Sequence, residues 1–363
     1  MFTAQDHQFM AQALRLARLG LRSTRPNPAV GCVLVRGNGV VGEGWHKKAG
    51  GPHAEIHALQ MAGEQARGAT AYVTLEPCSH TGKTGPCADA LIEAGVAKVI
   101  AAVKDANPEV AGRGLAKLEA AGIETACGLM EAEAAAINTG FFKRMQTGRP
   151  RVFAKIASSL DGKTAMAPGE SKWITGPAAR QDVQRLRASA CAIVTGIGTV
   201  LADDPQLNVR DEELLAQLPS QPMRVILDSQ LQCPADAYMF KTAGRVVIMT
   251  TDAGLPKQQA LLDAGAEVLS LGQTISVSAV LEWLGGQQCN NVMLEAGATL
   301  NGAFLNAGVL DEVVLYQASH IMGDGARGLF HLPELTEMAE RKAFSLNDVR
   351  QFGDDLRLTF VPS

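Results

Sequence analysis

Short apolar runs alternate with helical patterns along this chain, and the alternation starts afresh near the middle. That alternation leaves few folds open, because helices interleaved with strands pack back onto the faces of one sheet. At the start, Thr3 with Asp6 resembles a capping box, and Phe9, Met10, Ala13, Leu14 and Ala17 follow at helical spacing. Gly20 ends that helix. "AVGCVLV" reads as a buried strand, "GNG" as a turn and "VVGEG" as the hairpin partner. A helix from about Ala54, strand "TAYVTLE", a helix from about Cys87, strand "AKVIAAV", a further helix, strand "IETACG" and a helix from about Met130 follow. The pattern predicts a mainly parallel sheet covered on both faces.

The polar stretch "KRMQTGRPRV", Lys143 to Val152, carries Gly148 and Pro150 and reads as a linker. It divides the chain into expected domains 1–147 and 148–363. Beyond it, "RVFAKIA", "CAIVTG", "RVILD", "RVVIMT", "AEVLSL", "NVMLEA" and "DEVVLY" read as strands with helical patterns between several of them. "KAFSLNDVRQFGDDLRLTFVP" reads as two strands joined by a glycine turn. A second α/β domain with an antiparallel finish is expected. With 363 residues, 47% of them hydrophobic, two cores are within reach.

The formal net charge of -4 argues against a nucleic-acid partner, which favours a basic face. No stretch approaches the roughly 20 apolar residues of a membrane span, and "FTAQDHQFMAQALRLARLG" lacks the features of a signal peptide. A soluble, cytoplasmic protein is expected. Seven cysteines, an odd number, argue against a disulfide framework. Cys32, Cys127, Cys191 and Cys289 read as small core residues, and Cys233 as a loop residue without a role.

Cys78 and Cys87 are different. "GPHAEIH" places Glu55 midway between His53 and His57, and "LEPCSHTGKTGPC" follows downstream. A zinc-protease helix needs His-Glu-x-x-His, with the glutamate next to the first ligand; here the order is wrong, and His57 reads as an ordinary helix histidine. His53-x-Glu55, Pro77-Cys78 and Cys87 instead match the zinc deaminase signature, in which one histidine and two cysteines bind zinc and a glutamate outside the shell moves protons. Two thiolates balance the cation, and a site with three protein ligands keeps a place for water, whose pKa zinc lowers to about 7. His53 and Cys87 both fall at expected helix starts, where the helix dipole favours a thiolate. The signature has two residues between its cysteines, whereas "SHTGKTGP" separates these. A purely structural zinc site is the competing reading.

These residues, with "RPNPAVGCVLV" and "NPEVAGRG", resemble the bifunctional deaminase/reductase family of riboflavin biosynthesis, in which the long loop between the cysteines is typical. "KIASSLDGKTA", "GESKWITG", "TGIGTVLADDPQLNVR", "VILDSQ" and "EAGATLNGAFL" extend the resemblance over nearly the whole chain. It implies an N-terminal cytidine-deaminase-like three-layer α/β/α domain and a C-terminal dihydrofolate-reductase-like α/β domain. The first would hydrolyse the 2-amino group of 2,5-diamino-6-(5-phosphoribosylamino)pyrimidin-4(3H)-one. The second would use NADPH to reduce the ribosyl group of 5-amino-6-(5-phosphoribosylamino)uracil to ribityl. The family implies His53, Cys78 and Cys87 as ligands of one zinc, Glu55 as proton donor, and Asn27, His80 and Lys83 at the substrate; for His80 and Lys83 a solvated loop is the alternative. Assembly through the reductase domain is also a family trait.

In the second half, Gly196-x-Gly198 follows a strand, where glycines let backbone N–H groups approach a pyrophosphate. No obvious acidic residue lies about 20 positions on, which is compatible with NADP rather than NAD. By resemblance, Ala157, Trp173, Thr199, Asp203, Ser229 and the span Gly297, Ala298, Thr299, Leu300, Asn301, Gly302 and Ala303 contact the cofactor. Ser171, Arg187, Leu207, Arg210 and Glu295 contact the substrate. The family has two glycines after this glutamate, and Ala296 stands in place of one. Lys155, on an apolar strand, reads as a site residue, since an unpaired buried charge is costly, or as a snorkelling lysine. Arg187 has a solvated helix face, and Asp203 a helix end, as alternatives. Two other functions compete: a nucleobase or nucleic-acid deaminase with an unrelated C-terminal domain, and a zinc-stabilised binding module without activity.

Overall fold

The computed structural model describes residues 1–79, 85–107, 111–251 and 257–363. The chain divides into two compact domains, Met1–Gly148 and Arg149–Ser363.

The first domain runs α1 (Ala4–Leu19), β1 (Gly31–Arg36), β2 (Gly39–Trp45), α2 (Ala54–Ala62), β3 (Thr70–Val73), α3 (Cys87–Ala94), β4 (Lys98–Ala101), α4 (Arg113–Ala120), β5 (Glu124–Cys127), α5 (Glu131–Ile137) and α6 (Thr139–Thr147). The sheet order is β2-β1-β3-β4-β5. β1 is antiparallel to both β2 and β3, and only β3, β4 and β5 are parallel. The sheet is therefore mixed, not mainly parallel. The tight β1–β2 hairpin forces one reversal, and β1 then pairs in reverse with β3.

The Thr3 capping box forms: Asp6 N donates to Thr3 Oγ1 at 3.2 Å and Thr3 N to the Asp6 carboxylate at 2.7 Å. Met10, Ala13, Leu14 and Ala17 are the buried face of α1. Two glycines seat α2. A Cβ at Gly42 would stand 2.2 Å from the Ala58 carbonyl oxygen, and one at Gly44 2.6 Å from that of Ala54. The hairpin partner thus lets the helix that begins at His53 lie directly on the sheet. The linker is shorter than the polar stretch suggests. Lys143–Thr147 complete α6 and Arg151 opens the next strand, so only residues 148–150 lie between; polarity on the exposed side of a helix reads as loop in sequence.

The second domain contains β6 (Arg151–Ser158), β7 (Lys163–Ala165), α7 (Pro177–Ser189), β8 (Ala192–Gly196), α8 (Ile197–Asp203), α9 (Glu212–Leu215), β9 (Met223–Leu227), β10 (Val246–Thr250), α10 (Lys257–Asp263), β11 (Glu267–Ser270), α11 (Val277–Gly286), β12 (Asn291–Leu294), α12 (Ala298–Asn306), β13 (Glu312–Gln317), β14 (Arg327–Gly328), β15 (Phe344–Phe352) and β16 (Asp355–Pro362). The large sheet has the order β11-β10-β9-β8-β12-β6-β13-β16-β15. It is parallel from β11 to β13, and β16 and β15 close it antiparallel. Its inner parallel strands β8, β9, β10 and β12 are almost continuously buried, as both covered faces require. Cys32 and Cys289 are buried as expected, but Cys127 and Cys191 are half-buried, and Cys233 is buried although it lies in a loop. No described helix is long and apolar enough to cross a membrane.

Candidate active sites

In the first domain, His53 is the residue that caps the start of α2, Glu55 lies in the first turn, and Cys87 is the first residue of α3. Cys78 is held against α3 by its own backbone: the Ala88 N–H donates to its carbonyl at 3.1 Å and the Cys87 N–H to its sulfur at 3.3 Å. The His53 Nδ1 lies 3.6 Å from Cys78 Sγ and 3.2 Å from Cys87 Sγ. The three donor atoms all lie within 4.8 Å of one another. A tetrahedral zinc with ordinary bond lengths separates its nitrogen and sulfur ligands by about 3.6 Å. The donor set and its spacing fit that ion.

The charges point the same way. A hydrogen bond from Cys87 pulls the Cys78 thiol down to about 4, with His53 contributing. The same contact, with burial, pushes Cys87 up. Two thiolates this close repel, and a divalent cation between them removes the conflict. Glu55 is 3% exposed and reaches the Cys87 sulfur. Burial, with the charge of Cys78, pushes its carboxyl up to about 7.

Three buried polar residues that support the segments of this site carried no sequence signal. His46 is 2% exposed, its ring centroid lies 5.1 Å from that of His53, and its Nε2 is 2.8 Å from the Lys48 carbonyl oxygen. Glu76 accepts from the N–H groups of Gly112 and Gly114 at 2.9 Å each, anchoring the start of α4 beside Pro77-Cys78. Asn138 is bonded to Ala29, close in sequence to Asn27. A glutamate inside "LEPC" and a lone histidine or asparagine have no spacing that marks them. Asn27 sits in the loop that enters β1, its N–H donating to the Thr24 carbonyl at 2.8 Å. His80 and Lys83 lie outside the described residues.

In the second domain, the sheet order brings together residues far apart in sequence. Ala157 is near the carboxyl end of β6, Glu295 follows β12, Gly196 ends β8 and Ser229 follows β9, and these four strands are neighbours. The carboxyl edge of parallel strands is where open α/β sheets bind ligands. Arg187 on α7 grips Glu295 with both arms of its fork, Nε at 3.0 Å and Nη2 at 2.9 Å. Its Nη1 donates to the Asn208 carbonyl at 3.1 Å, and Arg210 donates to the Asn208 side chain at 3.2 Å. Lys155 Nζ lies 3.7 Å from Glu295. Arg187 is therefore buried and paired rather than on a solvated face, and Lys155 is paired rather than snorkelling. Burial alone would raise the Glu295 carboxyl, but Arg187 and Lys155 outweigh it and hold it down to about 2. Burial lowers the Lys155 pKa, with Glu295 opposing.

Ser171 donates to Asp203 at 3.1 Å, and Lys172 donates to the Asp203 carbonyl at 2.8 Å. Trp173 is 71% exposed, with the Arg180 guanidinium 4.6 Å from its ring centroid. Thr199 is half-buried on α8, and Ser229 is exposed. Leu207 is 1% exposed with φ +48°, so its side chain belongs to the core and only its backbone remains to meet a ligand. Gly297 precedes α12, Ala298, Thr299 and Leu300 form its first turn, and Ala303 is exposed on it. Asn301 and Gly302 are buried; a Cβ at Gly302 would stand 1.9 Å from the His331 carbonyl oxygen. Ala296 is not among the residues with positive φ, so no left-handed backbone demands glycine there.

A family model for the RibD C-terminal domain matches residues 150–358, and one for the cytidine and deoxycytidylate deaminase zinc-binding region matches residues 3–103. The riboflavin biosynthesis protein RibD of Haemophilus influenzae is 48% identical over 99% of this chain and 98% of its own length. The chain belongs to the RibD family. It is a bifunctional deaminase and reductase of riboflavin biosynthesis. The RibD of Escherichia coli is likewise 48% identical, over 98% of this chain and 99% of its own. A solved structure of Acinetobacter baumannii RibD superimposes with a TM-score of 0.93 at 49% identity, covering 99% of both chains. A diaminohydroxyphosphoribosylaminopyrimidine deaminase/5-amino-6-(5-phosphoribosylamino)uracil reductase from Thermotoga maritima does so with a TM-score of 0.87 at 33% identity, again over 99% of both. The folds are those expected, a cytidine-deaminase-like domain followed by a dihydrofolate-reductase-like one. A zinc-binding deaminase domain and a reductase domain imply zinc and a nicotinamide cofactor.

Proposed function

We propose that residues 1–147 deaminate 2,5-diamino-6-(5-phosphoribosylamino)pyrimidin-4(3H)-one and residues 148–363 reduce the resulting 5-amino-6-(5-phosphoribosylamino)uracil with NADPH. The observation that carries the first step is the convergence of His53, Cys78 and Cys87 with Glu55 buried against them. Those three residues would hold zinc, which supplies Lewis-acid activation of water at neutral pH. Buried against the Cys87 sulfur, with burial raising its carboxyl, Glu55 is placed to take and return a proton there. It takes one from the attacking water and delivers protons to the ring nitrogen and the departing ammonia. Asn27 meets the pyrimidine; His80 and Lys83 meet the substrate's ring or phosphate.

Bound in the second domain, NADPH would supply the hydride for reduction of the sugar. Ala157, Trp173, Thr199, Asp203, Ser229 and the Gly297–Ala303 span hold the cofactor. Lys155, Ser171, Arg187, Leu207 through its backbone, Arg210 and Glu295 hold the substrate. The arginine forks suit phosphate oxygens. Held near 2, Glu295 carries no proton at neutral pH, so its part is to anchor Arg187 and Lys155 at the substrate rather than to deliver a proton. NADPH rather than NADH is supported by the lack of an acidic residue about 20 positions after the Gly-x-Gly turn. The net charge of -4 supports small-molecule substrates over nucleic acid. Exposed Leu346 and Val349 on the edge strand β15 support assembly of copies through this domain.

The test supplies the diaminopyrimidine with NADPH and follows ammonia release and NADPH oxidation separately. The intact protein should show both signals. Glu55→Gln should lose both, and added deaminated intermediate should restore only NADPH oxidation. Ammonia release at the normal rate from Glu55→Gln would remove the proposed proton path.

A further inference from the structure

Asn138 lies between α5 and α6, and its backbone is fully engaged there. Its N–H donates to the Ala135 carbonyl at 3.0 Å, and its carbonyl accepts from the Phe142 N–H at 2.9 Å. The side chain is left to serve another part of the chain. Its Oδ1 accepts from the Ala29 N–H at 2.8 Å, and its Nδ2 donates to the Ala29 carbonyl at 2.8 Å. Of the ordinary polar side chains, only a carboxamide offers an acceptor and a donor side by side to satisfy both groups of one residue. Ala29 is 3% exposed and Asn138 8%, so neither group has water in its place. Ala29 precedes β1, which begins at Gly31, and without Asn138 its two backbone groups would be buried and unpaired.

What Asn138 holds leads straight to the metal ligands. The residue after Ala29, Val30, accepts from the His46 N–H at 2.9 Å. The residue before it, Pro28, offers its carbonyl to the His46 ring. That ring packs on His53, centroid to centroid, at 5.1 Å. Two residues before Ala29 is Asn27. We infer that Asn138 is a positioning residue for deamination: it clamps Ala29 so that the 27–30 loop stands in register beside His46 and His53 for pyrimidine recognition. The inference rests on the proposed role of Asn27. Asn138 touches none of the reacting groups, so its loss should weaken substrate binding while the metal ligands remain in place.

The experiment compares Asn138→Leu, close in volume but without hydrogen bonds, with Asn138→Asp, which keeps an acceptor for the Ala29 N–H and loses the amide donor. Deaminase KM and kcat, zinc per chain, and NADPH oxidation with preformed intermediate are measured in each. The expected result for Asn138→Leu is a rise of about tenfold in deaminase KM, from the loss of two buried hydrogen bonds. Asn138→Asp, which sets a carboxylate oxygen against the Ala29 carbonyl oxygen, should raise KM as well, and zinc content and reductase turnover should stay at wild-type values in both. Wild-type KM in either variant overturns the inference. So does a rise matched by loss of zinc, which would show a general collapse of the domain; should Asn138→Leu not fold, Asn138→Asp decides alone. Asn27→Ala separates the two readings: unchanged KM there, with raised KM in the Asn138 variants, overturns the role of Asn27 and leaves the clamp standing.

Discussion

The two sites of this chain are built in opposite ways. The proposed metal site takes His53 and Glu55 from the start of α2, Cys87 from the start of α3 and Cys78 from the stretch between β3 and α3, so two short segments nearly assemble it. The proposed reductase site takes Lys155 from β6, Arg187 from α7, Arg210 from the loop after α8 and Glu295 from just after β12. The sheet order β9-β8-β12-β6 is what unites them. A site set by covalent spacing is fixed by its motif; one set by strand order is fixed by the whole sheet. The first should fail when a ligand is lost, and the second when a buried charge pair is broken.

The largest expected effect is at the metal. Cys87→Ser, or chelation of the intact protein, should take ammonia release below detection and lower zinc content. NADPH oxidation with preformed intermediate should persist; its parallel loss would break the independence of the two sites. Glu55→Gln should keep its zinc, measured by metal analysis, while kcat for ammonia release falls about a hundred- to ten-thousand-fold.

Arg187→Ala strips Glu295 of its bidentate partner. Removing one member of a buried pair costs about 3 kcal/mol or more, read by denaturant unfolding, with a higher KM for the phosphorylated substrate. A variant as stable as wild type would mean that Glu295 is solvated and the contrast with the metal site too sharply drawn.

The pH dependence follows from Glu295. Its folded pKa of about 2 lies below the unfolded carboxyl value of about 4.3. A depressed acid stabilises the fold above the unfolded value, and that contribution is lost as pH falls toward 2. Glu295→Gln should therefore be less stable than wild type at neutral pH, with the gap narrowing as pH drops below about 4.3. Urea unfolding at several pH values checks the narrowing. The smallest effect is expected at Thr3→Ala, which removes the capping box of α1 at about 1 kcal/mol. A thermal melt should show it, with both activities at 25 °C unaffected.

Much of the fold was legible before any coordinates. Capping boxes, helical spacing and buried apolar runs are local, and α1, α2, α3 and the parallel strands of the second domain lie where those patterns fall. The misses were tertiary. Whether β1 pairs in reverse with β3 depends on strand order, which no local pattern encodes. The helical end at Lys143–Thr147 looked like linker because its solvent side is polar.

By itself, the sequence named the candidate metal-site residues, since residue type and order single out His53, Glu55, Cys78 and Cys87; that α2, α3 and the stretch after β3 bring them together is a result of the fold. The fold alone decided that Asn138 clamps Ala29 across 109 positions. It alone decided that Arg187 is buried on Glu295 and that the Leu207 side chain belongs to the core. These depend on which distant segments become neighbours, and that follows from the packing of the whole core rather than from any short stretch of chain.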